Sequence, residues 1–131
     1  MARYEHLPIY KAALDLAVHM EKVVLGFSRY HKYTLGAELR LAAHKVLQGV
    51  VKANGTSGAQ QRAAVLEALR LDIEALLITM RLGKEVRAFK SFAAYLHAVE
   101  QVGVVARQNE GWFKHTREQA QGLDTGVQRG A

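Results

Sequence analysis

From Ala59 to Arg87 the segment AQQRAAVLEALRLDIEALLITMRLGKEVR holds no proline and carries apolar residues at helical spacing on two sides at once. At about 100° per residue, Val65, Leu66, Leu69, Ile73, Leu76, Leu77 and Met80 form one stripe, while Ala64, Leu71, Ala75, Ile78 and Leu82 line nearly the opposite side. A helix that is apolar on two sides has to be buried on two sides. One side fits the core of a helical bundle. The other would lie in water in a lone chain, and contiguous exposed patches of that size are rare on monomers. The expectation is a homo-oligomer in which Leu71, Ile78 and Leu82 meet the first or fourth helix of a neighbour.

The remaining chain fits the same architecture. Pro8 stands at the start of an apolar-periodic run, where its missing N–H costs nothing, and a first helix is predicted over about 8–29. Its core side is Ile9, Ala13, Leu16, Met20, Val23, Val24 and Phe27; a second strip of Leu14, Val18 and Leu25 joins the expected interface. Thr34 is placed as the N-cap of a second helix, 34–53, its hydroxyl accepting a backbone N–H. The cluster ANGTSG ends that helix with turn chemistry, and the third follows over 59–87. A short FKS connection leads to a fourth helix over 91–111 with Ser91 as cap. Phe92, Tyr95, Leu96, Val99, Gly103 and Ala106 are assigned to its inner side, with Ala94, Ala98, Val105 and Trp112 behind; Val105 and Trp112 are given to the oligomer interface. Residues 116–131 lack apolar periodicity and are expected to form a disordered tail. No strand-like alternation or repeat competes, so the fold class is all-α: an antiparallel up-down-up-down four-helix bundle over residues 1–115.

Composition narrows the chemistry. Half of the 131 residues are apolar, enough for one core. There is no cysteine, which excludes disulfides, thiolate metal sites and cysteine nucleophiles. Runs such as ALLITM fall far short of the roughly 20 residues a membrane span needs, and Glu5, His6 and Asp15 interrupt any export-signal core, so a cytoplasmic location and no membrane partner are expected. A carboxylate-bridged metal bundle calls for Glu three residues before His on two helices, and no Asp or Glu precedes any of the six His at that spacing. Asp15 with His19 and His97 with Glu100 are read as solvated pairs on polar faces. Ser28, Ser57 and Ser91 sit at helix ends or in a turn, and neither a Gly-x-Ser-x-Gly elbow nor a phosphate-binding glycine loop occurs. No catalytic residue, metal or cofactor is expected.

What remains is charge. The chain carries 18 basic and 12 acidic residues, net +6. Residues 1–28 balance, whereas residues 29–52 set Arg29, Lys32, Arg40, Lys45 and Lys52 against Glu38 alone, a local +4. Such a concentrated excess suits a polyanion. The candidate contact set is Arg29, His31, Lys32, Arg40, Lys45, Lys52, Arg70 and Arg81, with Tyr30 and Tyr33 able to stack on unpaired bases. Lys84, Arg87 and Lys90 gather at the end of the third helix, and a tight fold-back would bring them near Arg107, Lys114 and Arg117. The rival reading is a structural bundle that recognises another protein, its charge serving solubility.

Four stretches, LPIYKAALDL (7–16), YTLGAELR (33–40), LLITMRLGKEVRAFKSFAAY (76–95) and VGVVARQNEGWFK (102–114), resemble the four-helix-bundle family that includes Avd, the accessory variability determinants of diversity-generating retroelements, and the proteins encoded in intervening sequences of 23S rRNA genes. The resemblance implies a homopentameric, barrel-like assembly with a positive surface. It also implies association with a reverse transcriptase and with RNA or DNA in support of mutagenic cDNA synthesis. By position, Arg70 and Arg81 are the basic residues first implicated in those contacts.

Overall fold

The computed structural model describes residues 4–130, with side chains through residue 122. A 3-10 turn at Tyr4–His6 precedes α1 (Pro8–Leu25), the single-turn α2 (Arg29–Lys32), α3 (Leu35–Gly55), α4 (Ala59–Glu85) and α5 (Phe92–Gly130). No strand occurs among the described residues. The four long helices pack in a closed cycle, α1 against α3 and α5, and α4 against α3 and α5. A helical bundle around one core is the result. Each helix contributes one stripe: Leu16 and Met20, Leu39 and Val46, Leu66 and Leu76, Val102 and Val105 are all fully buried. Truncating any one of the leucines to Ala would cost about 2–5 kcal/mol.

Local chemistry sets most boundaries. Pro8 opens α1 as expected. Ser91 Oγ accepts the Ala94 N–H at 3.1 Å and so caps α5. Thr34 behaves differently from the expectation: it precedes α3, but its hydroxyl donates back to the Tyr30 and His31 carbonyls at 3.1 and 3.4 Å and caps no N–H of α3. It therefore ties α2 to the start of α3. The first helix also stops earlier than expected, at Leu25, where the Gly26 N–H bonds the Val23 carbonyl and the Phe27 N–H the Val24 carbonyl, closing the last turn, and Ser28 is already extended. Residues 29–32 form their own turn. At the other side of the bundle, Gly58 takes φ +88° before α4, a left-handed conformation that suits glycine.

The end of α4 is a Schellman turn built on an arginine. The Ala88 N–H reaches the Gly83 carbonyl at 2.9 Å and the Arg87 N–H reaches Lys84 at 3.1 Å, which requires the left-handed φ of +61° at Arg87. This reversal swings Ala88 and Phe89 inward, and both are buried.

Two expectations for α5 are corrected. The inner stripe is Ala98, Val102, Val105, Asn109, Phe113, Thr116 and Ala120, while Phe92 and Leu96 are exposed. Val105 is thus a core residue and cannot line an outer interface. Trp112 is half-buried, packed against the core with the Arg62 guanidinium 5.9 Å from its ring. The helix does not stop near Gly111: it continues to Gly130, and the buried Thr116 and Ala120 extend the stripe where a disordered tail was expected. Ala131 lies outside the described residues.

Candidate nucleic-acid interface

The eight candidate contact residues divide into two groups. Arg40, Lys45, Arg70 and Arg81 lie on helix flanks and are matched by carboxylates. Arg40 Nε donates to both oxygens of Glu21 at 2.9 Å, and His44 Nε2 approaches the same carboxylate at 3.2 Å. The Arg40 hydrogen bond, followed by the nearby positive charges, holds the Glu21 carboxyl below its ordinary range despite the opposing effect of burial. Lys45 meets Asp72 at 3.4 Å, and Arg81 meets Glu85 at 3.2 Å. Arg70 bridges helices, with Nε 2.7 Å from Glu110 and the guanidinium over the Phe113 ring at 5.7 Å. The pairs of Arg40, Lys45 and Arg70 bind α1 to α3, α3 to α4 and α4 to α5, and that of Arg81 lies within α4, so their charge is largely spent within the fold.

Arg29, His31, Lys32 and Lys52 have no ion-pair partner among the described residues. Three of the four sit in α2, at the end of the bundle where α1 stops, α3 starts and the α4–α5 connection turns. The packing beneath joins these elements. Phe89, buried in the connection, stacks edge-on to Phe27 at 5.2 Å and to Tyr95 at 5.3 Å. Gly36 lets α3 approach α1 so closely that a Cβ there would stand 2.7 Å from Val24 Cγ1. Lys90 lays its stem along Gly26, its Cβ and Cδ each 3.8 Å from where a side chain would begin.

This contact decides what the bundle end contains. Lys90 packs on Gly26, in the connection between α1 and α2, and Lys84 faces Phe92 and Tyr95 at the start of α5. Two stretches, 22–37 and 86–99, meet here, and together they hold Lys22, Arg29, Lys32, Arg87 and Lys90 without one Asp or Glu. Tyr30 and Tyr33 in the first of these stretches and Phe92 in the second are 82%, 73% and 62% exposed. Lys84, in the last turn of α4, has its ammonium 5.9 Å from the Phe92 ring and 5.8 Å from Tyr95. The opposite end is chemically different: Arg62 is tied to the last carbonyls of α3, at 3.0 Å from Ala53 O and 3.3 Å from Asn54 O. Periodicity assigns Phe92 to the inside and gives no sign that Lys90 packs on Gly26. The available signal was the absence of acids from both stretches.

The second apolar sides lie open as expected. Leu71, Ile78 and Leu82 on α4 and Leu14, Val18 and Leu25 on α1 are exposed. Among the described residues no group of three or more His, Asp or Glu side chains is arranged to hold a metal ion, and no helix is long and apolar enough to cross a membrane. His19 departs from the expected solvated pair: it is half-buried, its ring edge-on to His97 at 4.6 Å, and burial, then His97 and Lys22, push its pKa down. Comparison with protein-family models and with curated proteins finds no match to this chain.

Proposed function

We propose that this chain is a non-catalytic accessory protein that binds RNA or DNA through the cation-rich end of its bundle and acts beside a retroelement reverse transcriptase in the cytoplasm. The observation that carries the reading is the meeting, at Lys90 and Gly26, of two stretches that hold Lys22, Arg29, Lys32, Arg87 and Lys90 and no acidic residue, with the nearest carboxylate, Glu21 beside Lys32 and Tyr33, already engaged by Arg40. Five such cations can neutralise about five phosphates, and the attraction is independent of base sequence. The resemblance to the Avd family supplies the retroelement and polymerase part. Pairings such as Asn109 with Leu66 and Tyr95 with Lys84 support the up-down-up-down arrangement of that family, and the open sides of α1 and α4 support its ring of copies.

Binding to a structured RNA, followed while salt rises from 50 to 200 mM, tests the nucleic-acid part. Five phosphate contacts predict an affinity loss of about 10²-fold over that range. No binding at 50 mM would refute it. A reverse-transcriptase gene and a near-repeat of a variable target beside the gene for this chain are expected; their absence would refute the retroelement assignment. The matched pairs of Arg40, Lys45, Arg70 and Arg81 favour a second reading for the flanks, in which the bundle is a protein-interaction module and flank charge serves internal pairing.

A further inference from the structure

The nucleic-acid reading leaves open which form of strand the bundle end takes, and the side chains there carry more than charge. Resting on that reading, we infer that the site is built for unpaired strands: Tyr30, Tyr33 and Phe92 stack on exposed bases while Arg29, Lys32, Arg87 and Lys90 hold the phosphates between them.

The rings are the deciding feature. Three large aromatic side chains more than 60% exposed lie on one end of a bundle where Phe27 and Phe89 are buried and Tyr95 is half-buried. Tyr30 and Tyr33 belong to a turn anchored from below by the Thr34 hydroxyl, so they are presented on ordered backbone. Phe92 is in the first turn of α5, fixed by the Ser91 cap and neighboured by Lys84 and Tyr95. Along the chain the rings alternate with cations: Arg29, Tyr30, Lys32, Tyr33, then Lys90 and Phe92. Alternation of this kind matches a strand in which each base lies between two phosphates. A membrane-binding element would gather its rings on one side instead. In a duplex the base faces are already stacked on one another, and such rings would meet only backbone. Stacking is tolerant of base identity because every base has a face, and base and phosphate chemistry are common to RNA and DNA, so both single strands fit.

The test compares labelled U20, dT20 and a blunt 20-base-pair duplex by fluorescence anisotropy at 50 mM salt. Both single strands are expected to bind more tightly than the duplex. Tyr30→Ala, Tyr33→Ala and Phe92→Ala should each weaken single-strand binding by about fivefold or more with little effect on the duplex, while Tyr33→Phe, which keeps the ring, should bind like the parent. Lys90→Glu should weaken all three ligands. Because the three rings are exposed, these variants should melt within a few degrees of the parent. Equal or tighter duplex binding, or ring variants that retain full single-strand affinity, would overturn the inference; a Lys90→Glu loss in the same experiment would leave the broader reading standing. Retention on vesicles of anionic phosphatidylglycerol with no binding of any oligonucleotide would overturn both.

Discussion

Phe89 and Phe92 are three residues apart and offer a sharp test of how the bundle end is assembled. Phe89 lies in the α4–α5 connection yet is 8% exposed, in edge-on contact with Phe27 and Tyr95 and pressed so close to α4 that a Cβ on Gly83 would stand 2.9 Å from its ring. Removing it should cost what a core Phe costs, about 3–5 kcal/mol, since the hole is walled by α1, α4 and α5 and cannot collapse without moving all three. An unfolding entropy near 2.1 cal/mol/K per residue, taken over the chain, turns 4 kcal/mol into a fall in Tm of about 15 °C. Phe92, in contrast, is 62% exposed, and Phe92→Ala should lower Tm by no more than a few degrees. Thermal melts followed by circular dichroism at 222 nm, at one protein concentration, compare the two. A small loss for Phe89→Ala, or a larger one for Phe92→Ala, would refute the docking of the α4–α5 connection against the α1–α2 connection and with it the packing of Lys90 on Gly26.

Three further outcomes follow from particular residues. Arg87→Gly relieves a left-handed backbone and should stabilise the fold by about 0.5–1 kcal/mol in urea unfolding, while weakening polyanion binding because a cation of the site is lost. Asn109 is buried with Nδ2 3.3 Å from the Leu66 carbonyl and its Oδ1 unpartnered; an unpaired buried acceptor costs about 1–3 kcal/mol, so Asn109→Leu should raise stability by about 1 kcal/mol, and a loss would show that the oxygen is used. For His19 the sign runs toward acid sensitivity. Burial and the neighbouring His97 and Lys22 lower its pKa from 6.5, so the native state binds fewer protons than the unfolded chain and stability falls as pH drops below about 6.5. His97→Gln should flatten that loss in melts taken between pH 7 and 5, and an unchanged slope would exclude the pair as its source.

The parts of the fold legible in the sequence are those decided locally. Pro8, the Ser91 cap and the turn cluster before α4 act within a few residues, and the core stripes of α1 and α4 are long and uninterrupted, so their faces are read directly from periodicity. The face of α5 was obscured because Asn109 and Thr116 occupy core positions while Phe92 and Leu96 sit outside, so hydrophobicity pointed to the wrong side; Gly111 looked like a stop but lies within the helix. Whether a cation is free depends on partners far away in sequence. Arg40 with Glu21, Lys45 with Asp72 and Arg70 with Glu110 are matched only once the helices are in place, and three of the eight candidate contacts are taken up by such pairs.

The open apolar sides run along the flanks of α1 and α4, whereas the cationic surface caps one end. Copies that associate side by side through their flanks under cyclic symmetry would all present that end in the same direction. A strand held by one copy would then meet the next at the effective concentration set by a few nucleotides of tether, so that modest contacts at each site combine into avidity that can exceed a single copy by 10²–10⁴-fold. A flank substitution such as Ile78→Asp, which touches no phosphate contact, would then weaken binding to long strands and leave binding to a strand spanning one copy unchanged.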